Sequence, residues 1–266
     1  MTDPDCLSGQ PVALERESGL AMITFDSPPL NLFDDAMGQR LSDAIGELEA
    51  IPPRAVLFRA QGRVFSGGVY VSVFAAQESV EQARSTFDGL IELARRVDHL
   101  PCPTVLAAHA LCLTWAFELA LACDLIVAAE SAQFGLVERV IGLTPAMGGT
   151  QRLAERAGTG RARELVMTGR PYDAATLERW NVVNLVLPDD DFAQAARRLA
   201  AELAAGPTLA HAATKRILRE YLEGGVERAN DRAGAIAAEL FDTEDLRSGV
   251  ATFLKEGPGK ATFRGR

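Results

Sequence analysis

The sequence predicts an α/β fold with a helical C-terminal third. Through the first two-thirds, short apolar or alternating segments bounded by Gly and Pro take turns with stretches whose apolar residues recur every three or four positions. Beyond Gly148 only the helical spacing persists. A chain of 266 residues, 48% of them hydrophobic, can bury roughly 70–75% of its unfolded surface, so the core needs no disulfide or metal staple.

Residues 12–26 read as two strands around Ser18-Gly19, with alternation in Ala21-Met-Ile-Thr-Phe25, and Pro28-Pro29 ends the pair. Residues 34–50 carry Met37, Leu41, Ile45 and Leu48 on one helical face, and Pro52-Pro53 stops that helix. A strand at 55–59 leads into a glycine loop at 62–68. Leu90, Leu93, Ala94 and Val97 then mark a helix closed by Pro101 and Pro103. Residues 104–108 form a strand, 115–122 an apolar helix and 124–129 another strand. The helices expected beyond Gly148 cover 151–157, 161–167, 174–180, 192–205, 208–222, 225–240 and 242–254.

Charge and composition exclude several functions. Twenty-seven Lys plus Arg against 36 Asp plus Glu leave a net charge of −9 without a basic run, which argues against a nucleic-acid or anionic-membrane partner. The apolar stretch 104–122 is interrupted by His109, Thr114 and Glu118 and fails as a membrane span. Residues 1–9 lack a basic n-region and an apolar core, so no secretion signal is expected. Cys6, Cys102, Cys112 and Cys123 form no C-x-x-C pair, and three His are scattered. The expectation is no metal site, reduced thiols and a cytoplasmic setting. Dinucleotide, P-loop and nucleophile-elbow motifs are missing.

Glu118 stands among apolar residues at helical spacing, where an unpaired charge is costly. Either it is a core carboxylate satisfied by Arg or backbone N–H groups, or it is functional. For Glu138 beside Arg139 the stronger reading is a surface pair. Brought to one pocket, the two would be acid/base equipment, because mutual repulsion raises a carboxylate's pKa. Gly67-Gly68 and Gly148-Gly149 could aim backbone N–H groups at an oxyanion or at phosphates, or could be plain turns.

The run Glu118-Leu-Ala-Leu-Ala-Cys-Asp124, then Ala132-Gln-Phe-Gly135, Glu138 and Ile141-Gly-Leu-Thr-Pro-Ala-Met-Gly-Gly-Thr-Gln-Arg-Leu153, resembles the enoyl-CoA hydratase/isomerase (crotonase) family. Pro29-Leu-Asn31, Phe65-Ser-Gly-Gly68, Leu165-Val-Met-Thr-Gly169 and Val182-Val-Asn184 extend the likeness over about residues 12–253. The resemblance implies a spiral of β-β-α units at 10–200 and a helical C-terminal oligomerisation region at 201–266, supporting homotrimers or hexamers. It implies an acyl-CoA thioester as substrate, with coenzyme A arriving as part of it and no other cofactor.

By position, the resemblance implies Glu118 and Glu138 as the acid/base pair and the N–H groups of Val69 and Trp115 as the oxyanion hole. Leu30, Leu32, Gly67, Tyr70 and Val71 would line the acyl-CoA path; Phe253 and Lys260 could reach a coenzyme, although Gly257-Pro-Gly259 disrupts the family's basic stretch and Lys260 reads rather as a tail residue. Having both glutamates favours hydration over isomerisation. The chain also departs from the family. Thr114-Trp-Ala116 replaces a glycine triplet, so a side chain at 115 is expected to strain the backbone or block the pocket, and a weakly active acyl-CoA-binding protein is the alternative. Tyr70 replaces an Asp, as in a dehalogenase branch, yet that branch's nucleophilic Asp falls on Pro145. His109 and Cys112 replace commoner Asn and Ala.

Overall fold

A computed structural model of the chain describes residues 10–266. Cys6 and the polar segment before Gln10 lie outside the described residues. Strands β1 (Val12–Glu17) and β2 (Leu20–Phe25) pair antiparallel across the Ser18-Gly19 turn, from Val12 opposite Phe25 to Glu17 opposite Leu20. Helix α1 (Asp35–Ala50) follows. The Asp34 side chain accepts from the Met37 N–H at its N-terminus, and the helix buries Met37, Leu41, Ala44, Ile45 and Leu48.

The same order then recurs. Strand β3 (Ala55–Ala60) is followed by α2 (Val71–Ala75) and α3 (Val80–His99). Strands β4 (Thr104–Ala108) and β5 (Leu111–Leu113) precede α4 (Trp115–Ala122). Strands β6 (Leu125–Ala129) and β7 (Gln133–Gly135) precede a 3₁₀ turn at Glu138–Ile141 and α5 (Gly149–Thr168), which breaks at Gly158. The chain closes with β8 (Tyr172–Asp173), α6 (Ala174–Arg179), β9 (Leu185–Leu187), α7 (Phe192–Ala205), α8 (Thr208–Ala238) and α9 (Glu244–Glu256).

One sheet runs β1-β2-β3-β4-β6-β9, parallel except for the first pair, and a smaller one runs β5-β7-β8. Helix α7 packs on β2, β3, β4 and β6, and the central strand β4 is mostly apolar and fully buried rather than alternating. Helix α7 lays Ala196, Ala200 and Ala204, one face at four-residue spacing, toward the sheet. The boundary expected at 200/201 falls inside this helix.

One expectation needs correction. The stretch beyond Gly148 is not wholly helical, because β8 and β9 interrupt it and β9 forms the far edge of the main sheet. Strands of two or three residues are too short to display a period of two. The α8 break, by contrast, sits at Gly224-Gly225, where the spacing changed, with Gly225 at φ +76°. Among the described residues no helix is long and apolar enough to cross a membrane.

Candidate active site

The loop between β3 and α2 is hung from two buried polar side chains. Asn31, with φ +49°, accepts from the Ser27 N–H at 2.7 Å and donates through Nδ2 to the carbonyls of Gln61, Val64 and Phe65. The Ser66 hydroxyl donates to the Asn31 carbonyl at 2.7 Å and accepts from the Gly68 N–H at 3.0 Å. Gly68 has φ +116°, a backbone that favours glycine, and a Cβ there would press on the Thr114 Oγ1 at 3.1 Å. The Gly68 carbonyl accepts from the Phe33 N–H at 2.9 Å, and the Tyr70 N–H donates to the Phe33 carbonyl at 3.0 Å. In a trans peptide the C=O and N–H point opposite ways, so the Val69 N–H faces away from Phe33. Among the described residues it meets no protein acceptor.

Helix α4 begins with the same device. The Thr114 carbonyl accepts from the Glu118 N–H at 2.9 Å, which turns the N–H of the Thr114–Trp115 peptide outward from the helix start. Trp115 itself is helical. The left-handed backbone sits one residue earlier, at Thr114 (φ +51°, ψ −121°), whose buried hydroxyl has no partner. This corrects the expected conflict at 115. The indole turns into the core, packs edge-on to Phe25 at 5.1 Å and against Phe33 at 5.3 Å, and donates to the Ser66 hydroxyl at 2.8 Å. The strain falls on Thr114 instead.

The two glutamates occupy different surroundings. Glu118, 3% exposed on α4, accepts through Oε2 from the Met147 N–H at 2.8 Å and the Gly149 N–H at 2.7 Å, at the N-terminus of α5. Burial raises its pKa and those N–H groups oppose the rise. The Gly149 N–H is therefore spent on Glu118, and the second glycine pair does not aim it at a ligand. Glu138, 8% exposed at the start of the 3₁₀ turn, has a buried Oε2 without a hydrogen-bond partner. Its pKa is pushed up to about 7, first by burial and then by the charge of Glu118, against its own backbone N–H. A surface pair with Arg139 is excluded, because that guanidinium turns away to the Thr168 carbonyl.

Val69, Trp115, Glu118 and Glu138 line one cavity of about 680 Å³. Gly67 and Val71 line it as well, whereas Leu30 and Leu32 pack over Gly67, within 3.3 Å of where its Cβ would be. Tyr70, 42% exposed, caps α2 beside Val71. Phe253 lies elsewhere, in an apolar hollow with Leu246 and Phe263, and Lys260 is exposed near the chain end. His109 bonds the Gly62 carbonyl at 3.1 Å, and Cys112 is a fully buried thiol. The role of Ser66 had no signal in the sequence, since its indole partner is 49 positions away.

The family model described as enoyl-CoA hydratase/isomerase matches residues 15–265. The chain belongs to that family. A Rhodobacter capsulatus relative described as a probable enoyl-CoA hydratase is 30% identical over 97% of this chain and 100% of its own length. The 2,3-dehydroadipyl-CoA hydratase of Escherichia coli K12 is 28% identical over 95% and 98% of the two chains. The crystal structure of an enoyl-CoA hydratase subunit from Geobacillus kaustophilus HTA426 superposes with a TM-score of 0.88 at 28% identity, covering 96% and 98%. This enoyl-CoA hydratase/isomerase family member thus has the family's fold, with its strands, loops and terminal helices in place.

Proposed function

We propose that the protein adds water across the α,β double bond of an enoyl-CoA thioester. The observation that carries this reading is two buried carboxylates in one cavity with two unspent backbone N–H groups. The thioester oxygen takes hydrogen bonds from Val69 and Trp115, donors already fixed before charge develops; one such donor is worth about 3–4 kcal/mol in a transition state. Glu118, held by two N–H groups, is the ionised partner that takes a proton from water as its oxygen bonds to the β-carbon. The π electrons pass to the enolate held by the two donors, and the α-carbon takes its proton from Glu138, whose pKa near 7 suits that transfer. Proton exchange returns the pair to its starting state, and it titrates as a unit.

Around the carboxylates the cavity is lined by Val73, Phe74, Phe87, Leu90, Leu93 and Leu143, which fits an apolar acyl group. The one Lys or Arg in the lining, Arg96, is committed to Glu49 at 2.8 and 2.9 Å and to Ser42. No free guanidinium fork is left for a terminal carboxylate on the substrate. Gly67 and Val71, with Leu30, Leu32 and Tyr70 behind them, form the acyl-CoA approach in this reading. Exposed Leu218, Tyr221, Leu222 and Val226 on α8 support a homotrimer or hexamer, and buried free thiols at Cys102, Cys112 and Cys123 support a reducing cytoplasm. The reason to think of a catalytically weak binder, a Trp filling the site, loses its force with the indole in the core.

Product mass decides among reactions. Hydration adds one water to crotonyl-CoA, isomerisation leaves the mass unchanged and hydrolysis releases free coenzyme A. A product of unchanged mass, or free coenzyme A alone, overturns the proposal.

A further inference from the structure

We infer that the Ser66 hydroxyl and the Trp115 indole are positioning residues that set the spacing of the two donor N–H groups across the cavity mouth. The inference rests on the reading of Val69 and Trp115 as thioester donors. It adds a cross-brace where the family resemblance implies glycine.

A serine hydroxyl has one donor and two acceptor positions, and Ser66 fills all three. It donates to the Asn31 carbonyl at 2.7 Å, accepts from the Gly68 N–H at 3.0 Å and accepts from the Trp115 indole at 2.8 Å. Gly68 immediately precedes Val69, and its carbonyl is held by Phe33. The indole ring rests against that same Phe33. One hydroxyl therefore joins the loop carrying the first donor to the residue carrying the second, 49 positions apart, with both side chains buried. Buried networks of this kind, fully satisfied, hold a single geometry. Beside it, the short backbone pairing of Ser66 with Leu111 and Leu113 fixes the backbone of 66 but makes no bond to Trp115 itself. A glycine at 115 would have no side chain with which to make the bond to Ser66.

The test uses the absorbance of bound cinnamoyl-CoA, whose conjugated carbonyl shifts to longer wavelength when hydrogen bonds polarise it. The spectra are recorded in a Glu138→Gln background so that the probe persists. Ser66→Ala and Trp115→Phe are each expected to reduce that red shift by half or more. In the otherwise native enzyme each lowers kcat by about 10- to 100-fold with KM changed less than about threefold, as misplaced donors cost turnover rather than binding. The double variant is no worse than Ser66→Ala alone, because Trp115→Phe removes a bond that Ser66→Ala has already removed. Trp115→Phe keeps a buried ring and leaves Ser66 bonded to Gly68, so it decides alone where Ser66→Ala does not fold. A red shift and kcat in folded Trp115→Phe equal to the parent's overturn the inference while leaving the donors standing. A parent without any red shift overturns the donor assignment itself, and the brace with it.

Discussion

The Gly149 N–H stands 2.7 Å from the Glu118 carboxylate, and a Cβ at 149 would stand 2.7 Å from the Glu118 Cγ. The start of α5 is thus built directly against the catalytic carboxylate of the proposed pair. Burial disfavours the ionised form, and the hydrogen bonds from the Gly149 and Met147 N–H groups at the positive end of that helix oppose that effect.

Gly149→Ala should therefore displace Glu118 without touching it chemically. The expected result is a loss of about tenfold or more in kcat with a destabilisation of about 1–3 kcal/mol, the usual cost of forcing a methyl into a packed site. Steady-state hydration kinetics and urea unfolding measure the two effects. Unchanged kinetics would show that Glu118 does not depend on this contact.

Glu138 links activity and stability to pH. Its folded pKa of about 7 lies above the ordinary 4.5, so the folded state holds the proton more tightly than the unfolded one. That contribution is fully present below about pH 4.5 and is lost as pH rises to 7, an upper bound of about 3 kcal/mol. Glu138→Gln should consequently be more stable than the parent at pH 8 by about 1–3 kcal/mol, with the gain vanishing near pH 4.5. Denaturant midpoints at the two pH values test the sign; an equal gain at both contradicts it.

Thr114 carries a left-handed backbone and an orphan hydroxyl. Thr114→Gly removes both costs at the expense of chain entropy and one methyl group, for a net gain of about 1 kcal/mol. A thermal unfolding midpoint below the parent's would show that the Thr114 side chain earns its place through packing.

Much of this was legible in the sequence for reasons that can be named. Helices α1 and α4 announce themselves, one by Met37, Leu41, Ile45 and Leu48 on one face, the other by an apolar run broken only by Glu118 and ending before Asp124. Both glutamates were visible as anomalies or by resemblance, and both lie in one cavity. Strands β5, β7, β8 and β9 were not visible, because two or three residues show no alternation and their pairing is entirely tertiary. The rotamer that takes Trp115 into the core depends on Ser66, Phe25 and Phe33, which a helix pattern does not encode. The same holds for Gly149, where a turn and a carboxylate seat look identical in one dimension.

In the proposed reaction, charge in the cavity should set substrate choice. Asp35, Glu92, Glu118 and Glu138 line it, and Arg96 is paired with Glu49. For acyl chains of equal length, hex-2-enoyl-CoA should be hydrated with a kcat/KM at least about tenfold above that of 2,3-dehydroadipyl-CoA, since a desolvated like charge costs over 1 kcal/mol. The reverse preference would mean that Arg96 leaves Glu49 when substrate binds.

The most direct measurement is the loss of conjugated-enoyl absorbance when the purified protein meets a panel of short, long and aryl-substituted enoyl-CoA thioesters, beside its Glu118→Gln and Glu138→Gln variants. The account predicts turnover by the parent that falls by orders of magnitude in each variant, with acyl-CoA binding retained. Turnover unchanged in both variants, or a parent that binds the thioesters and leaves their absorbance constant, would contradict it.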